Sequence, residues 1–197
     1  MASRREFLQA GVAASMLPIA GLAGTSSAPA VETLPLYKII FDHRFPSSRE
    51  FAAQARTLGL AAHGIEGDIT DVWYHDLSLR WIQEPVAIGG LTAHGPLFCL
   101  ERLAWDHRMR VVFRGQHTVS ANGRMEHALT GPQTLLGDAS LLAGRPGWAS
   151  SVADLMARFP VSRADTCDRT IVTPTRAAGL DSEPLFSWVI APKKEDL

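Results

Sequence analysis

Residues 86–117 read VAIGGLTAHGPLFCLERLAWDHRMRVVFRGQH. Val86 to Ile88 is a short apolar run, Gly89 and Gly90 break it, and Leu97, Leu100, Leu103 and Ala104 then recur at helical spacing. Strand character resumes from Val111 to Phe113. Strand, glycine turn, helix and strand in that order predict a parallel crossover unit.

The segments before it repeat the alternation. Leu36 to Phe41 (LYKIIF) is β-branched and aromatic, as a buried strand requires. Ser47 and Glu50 then form a capping pair ahead of the apolar stripe Phe51, Ala52, Ala55 and Leu58, and Gly59 stops the helix. Leu60 to Ile65 is a weaker strand. After Gly67, Asp68 caps a helix whose apolar row is Ile69, Trp73, Leu77 and Trp81.

Beyond residue 117 the pattern changes. Val111 to Ser120 and Arg124 to Leu129 flank Ala121-Asn122-Gly123, a strong hairpin signal. Leu135, Leu136, Leu141 and Leu142 suggest a short broken helix, and Gly144 to Gly147 a loop. Ser151 and Asp154 open a better helix along Val152, Leu155, Met156 and Phe159. Ile171-Val172 and Phe186 to Ile190 are the remaining strands, and the tail from Lys193 to Leu197 reads as solvated. The expected architecture is a three-layer α/β fold with a mainly parallel, Rossmann-like sheet and an antiparallel edge hairpin.

The amino terminus sets the expected location. Ser3-Arg4-Arg5-Glu6-Phe7-Leu8 precedes an apolar run from Ala10 to Ala23 and a small-residue site at Ala28-Pro29-Ala30. This resembles a bacterial twin-arginine signal peptide, and the run is shorter than the roughly 20 residues a bilayer span needs. The resemblance implies a leader over residues 1–30, passage through the twin-arginine translocon, and a single periplasmic α/β domain over residues 31–197 with no membrane span. That route hints at a cofactor without naming one. A net charge of −1 and 8% aromatic content give no basic stripe for nucleic acid. Cys99, expected on the apolar side of its helix, and Cys167 lack metal spacing, and a bridge between them stays open.

In open parallel sheets ligands collect at the carboxyl ends of the strands. That rule gathers Asp42 and His43 after the first strand, Asp68 after the second, Thr92 and His94 after the third, and Arg114 and His117 on the fourth. Gly89 and Gly90 permit close backbone approach, and Pro96 suits a first helical turn whose free N–H groups favour an anion. Arg114 can grip a carboxylate bidentately. The loop has neither the phosphate-loop lysine nor the dinucleotide glycine spacing, and a tight packing turn is the plainer reading. His43, His94 and His117 with Asp42 or Asp68 offer donors for a metal, though no pair has diagnostic spacing. A hydrolase using the Asp and His residues is an alternative, without a Gly-x-Ser-x-Gly elbow or a visibly placed serine.

The leading expectation is a non-catalytic protein that binds a small anionic ligand or serves as accessory subunit of an exported redox enzyme. A pocketless interaction protein, with Trp105, Trp148 and Trp188 on its surface, is a further alternative.

Overall fold

The apolar run at Val86 does not stop at its glycines. In the computed structural model, which describes residues 32–137, 142, 147–163, 165–173, 181 and 183–193, Gly89 and Gly90 lie inside a strand, Ala87–Thr92, every residue of which is buried. The expected glycine turn is therefore strand interior. The expected leader over residues 1–30, Leu141, Gly144 to Pro146 and residues 194–197 lie outside the described residues.

Among the described residues helices and strands alternate early and then give way to strands: β1 (Leu36–Asp42), α1 (Pro46–Thr57), β2 (Ala62–Ile65), α2 (Thr70–Val72), a π-wound turn (Trp73–Leu77), α3 (Ser78–Gln83), β3 (Ala87–Thr92), α4 (His94–Asp106), β4 (Met109–Val119), β5 (Met125–Pro132), α5 (Gln133–Gly137), α6 (Trp148–Ala157), β6 (Thr166–Thr173) and β7 (Leu185–Pro192). The strands form one sheet in the order β2-β1-β3-β7-β4-β5-β6. β1 pairs in parallel with β2 and β3, whereas the four remaining pairings are antiparallel. The α/β class stands. The sheet, however, is mixed and antiparallel in most of its pairings, where a mainly parallel one was expected.

The reason is β7. Its sequence, LFSWVIAP, is buried almost throughout, so it needs cover on both faces and a partner on each edge, which only a central position supplies. It runs between β3 and β4 and antiparallel to both. β3 and β4 therefore point the same way, as the crossover reading requires, but they do not touch as neighbours.

Helices cover the two faces unequally. On one, Ile39, Phe41 and Leu91 pack with Phe51 and Ala52 of α1 and Val152 and Met156 of α6. On the other, Ile40, Ile88 and Trp188 pack with Trp81, Leu97 and Leu100. Ile69, Trp73, Leu77 and Trp81 are all buried. Residues four apart in an α-helix drift about 40° per step, and the wider π turn at Trp73–Leu77 keeps that row facing the sheet.

Three local expectations change. Pro46 rather than a capping Ser47 begins α1, and Ser47 sits buried in its first turn. α6 begins at Trp148, so Ser151 is inside it rather than its cap. Cys99 is exposed, because the buried stripe of α4 runs through Pro96, Leu97, Leu100 and Ala104 and leaves position 99 on the outer side. Cys99 and Cys167 are both free thiols.

Candidate functional site

At the end of β1 the chain turns on a buried carboxylate. Asp42 is 0% exposed, and Arg44 grips it bidentately, Nε at 2.9 Å and Nη2 at 2.7 Å. The Asp42 N–H donates to Ser48 Oγ at 2.8 Å, and that hydroxyl donates to the Leu91 carbonyl at 2.5 Å. Ser48 thus ties the start of α1 to the ends of β1 and β3. The Asp181 carboxylate accepts from the Ser47 N–H at 3.2 Å, where the helix dipole favours a negative charge.

The other residues expected at the strand ends have private roles. His43 is exposed, lies edge-on to Phe41 and occupies the space over Gly64. Asp68 is exposed and accepts from the Thr70 N–H and hydroxyl, which hold its carboxyl below the ordinary value. Gly90 lies under the Trp188 indole, where a Cβ would come within 2.4 Å of Cζ2. Thr92 accepts from Trp188 Nε1 at 3.1 Å. Gly89 faces Met156 and Leu36. Gly90 therefore makes room for Trp188 of β7 and Gly89 for Met156 and Leu36, the packing role, and the space above them is filled. His94 is exposed, between Phe98 and Phe186. Among the described residues no group of three His, Cys, Asp or Glu is placed to hold a metal ion.

His117 instead joins a buried polar chain. Its Nε2 lies 2.8 Å from Ser187 Oγ and its Nδ1 2.7 Å from His127 Nδ1, while His127 Nε2 lies 3.1 Å from Thr173 Oγ1. Trp148, the first residue of α6, stacks on His117 with centroids 4.4 Å apart and tilts over His127 at 5.4 Å. Burial lowers the pKa of both imidazoles, His127 to about 4, and the neighbouring His127 lowers that of His117 further. Both rings are neutral at pH 7 and each gives one N–H, so one proton serves each contact whichever way the chain runs.

A hydroxyl, an imidazole and a second orienting group are the parts of an activated nucleophile. Here Ser187 is fully buried. Its Oγ fills the space over Gly115, 2.4 Å from where a Cβ would stand, with Leu129 beside it. The hydroxyl is enclosed and does not meet solvent, and the polar chain joins β4, β5, β6 and β7.

Sequence spacing carried a signal for this pair. The turn at Ala121-Asn122-Gly123 is closed by the Ser120 N–H to Arg124 carbonyl bond and by Gly123 at φ 73°, so residues equidistant from Asn122 face each other. His117 and His127 are five positions to either side and pair directly. Ser187 and Thr173 had no such signal.

Arg114 stands apart from the rest, because alternation along β4 puts it on the sheet face opposite His117. A cleft of about 410 Å³ opens there. Among the described residues Arg110, Arg114, Arg163, Lys193 and Glu101 are its charged lining. Glu101 accepts from Arg114 Nη2 at 2.7 Å. Arg163 is different: Nη1 and Nη2 are both buried and find no hydrogen-bond partner among the described residues, and burial pushes its guanidinium below the ordinary value. Comparison with protein-family models, with curated proteins and with solved structures finds no match for this chain.

Proposed function

We propose that this chain is an exported, periplasmic α/β protein that binds a small anionic ligand, and that the ligand seats in the arginine cleft rather than at the strand ends. One observation carries the reading: among the described residues the buried Nη1 and Nη2 of Arg163 have no hydrogen-bond partner, in a cleft that Arg110 and Arg114 also line. A buried cation without an acceptor is costly, and a carboxylate or phosphate meeting its planar fork supplies the missing acceptors. The paired arginines at Arg4 and Arg5 support export by the twin-arginine route.

Calorimetric titration of the purified protein with succinate and with inorganic phosphate tests the reading. We expect saturable binding of at least one, weakened as ionic strength rises. Arg163→Ala lowers the affinity by about 1.5–3 kcal/mol, roughly 10- to 100-fold, as for a lost charge-assisted pair. Absence of binding by either anion, or equal affinity in the variant, refutes it.

A second reading, accessory subunit of an exported redox enzyme, is favoured by one surface feature. Phe98 and Trp105 are about half exposed, and Arg102 lies 5.4 Å and 4.4 Å from their ring centroids, an aromatic and cationic composition common in protein interfaces. Under this reading a redox enzyme co-purifies from the periplasm with the native chain and is lost from Trp105→Ala.

A further inference from the structure

We propose that the His117 and His127 pair is an acid-operated latch, which holds Trp148 and the first turn of α6 against the sheet while both rings are neutral and releases them on protonation. The pair belongs to four strands at once: His117 on β4, His127 on β5, Thr173 on β6 and Ser187 on β7. All four side chains are buried. Trp148 is their cover from α6, and it is half-buried, so this cover reaches solvent while the rings do not. Gly147 ahead of it has φ 99°, a left-handed conformation that marks the entry to the helix.

The hydrogen bonds set how many protons the closed form accepts. One added proton can be accommodated: with Ser187 accepting from His117 Nε2, every N–H still has a partner. Among the described residues no carboxylate is hydrogen-bonded to either ring. A second proton sets two N–H groups against each other across the 2.7 Å between the Nδ1 atoms. No carboxylate meets the rings from these strands. On their face of the sheet β6 also carries Cys167 and Arg169, whose guanidinium donates to the Leu136 and Gly137 carbonyls. Glu50 of α1 accepts from Ser150 Oγ at 2.8 Å, at the start of α6. Burial is thus the dominant influence on both rings, and it opposes charge.

The sign follows. Released rings in water take up a proton near pH 6.5, whereas in the closed form His127 does so only near 4. The closed form is fully favoured above pH 6.5, and its advantage falls as pH drops from there toward 4. For His127 alone the closed-to-open ratio changes on the order of 100-fold.

Hydrogen exchange of the full chain between pH 7.5 and 4.5, expressed as protection factors, reads the latch. The first turn of α6 is expected to lose 10- to 100-fold in protection while α4 keeps its own. Replacing both rings by apolar ones, H117F with H127L, should leave α6 protected across the range. Should that variant not fold, Trp148→Leu serves: it hydrates the rings and raises their NMR titration midpoint by at least one unit. Loss of protection in α4 and α6 together, an acid response that survives in the folded double variant, or an unmoved midpoint in Trp148→Leu overturns the proposal.

Discussion

Trp188→Ala lowers the unfolding free energy by about 3–5 kcal/mol, out of the roughly 5–15 kcal/mol that holds a domain together. Trp188 is fully buried on the central strand. Its indole lies against Gly90 and its N–H reaches Thr92, so truncation opens a cavity between β3 and β7 and leaves a buried hydroxyl without its donor. The partner position resists growth for the same reason. In Gly90→Ala the new methyl would meet both the Trp188 ring at 2.4 Å and the Ile40 carbonyl at 2.6 Å, an overpacking of about 1–3 kcal/mol. The two changes share a space and should not add. Together they should be less damaging than the sum, but rescue stays partial because the Ile40 carbonyl is backbone. Urea unfolding of the four proteins checks this through the midpoints at constant slope. Additive losses would show that Gly90 does not exist to seat the indole.

The same pair explains what could be read from the chain beforehand. Local patterns identified the apolar runs that became β1, β3 and β4, the helix stops at Gly59 and the hairpin about Asn122, because each depends on neighbours within a turn or two. The place of β7 depends on Trp188 meeting Gly90, a contact with no local trace. Without it, Gly89 and Gly90 read as a turn, and β3 and β4 as adjacent. The site divided likewise. The His117 and His127 pairing was implicit in the hairpin register, whereas Ser187 joins them only once β7 is seated. Arg114 was picked out as an anion ligand from its type. Its companion Arg163 sits in a polar stretch with no periodicity, so its burial could not be seen.

Arg44→Ala should be the most damaging single change at the end of β1, lowering stability by about 2–3 kcal/mol. Removing one partner of a fully buried ion pair costs about 3–5 kcal/mol, since the surviving charge keeps its desolvation without compensation. Here the loss is smaller because Arg44 is 46% exposed while the Asp42 side chain is 0% exposed, and water replaces part of the guanidinium. That asymmetry makes the two partners unequal. Without Asp42 the arginine turns into solvent, but without Arg44 the carboxylate is held in place. The Asp42 N–H is committed to Ser48, and among the described residues the carboxylate's other donor is the Arg44 backbone N–H at 3.2 Å, which survives the substitution. Asp42→Ala should therefore be milder than Arg44→Ala, and the double variant closer to Asp42→Ala than to Arg44→Ala. Gly67 adds a steric condition: a Cβ there would stand 2.6 Å from the Arg44 guanidinium carbon, and the backbone φ of 81° strains alanine on its own, so the loss in Gly67→Ala should be smaller on the Arg44→Ala background than in the wild type. Unfolding midpoints that rank Asp42→Ala below Arg44→Ala would mean that the pair is held by the carboxylate's contacts with the chain and that the arginine is incidental.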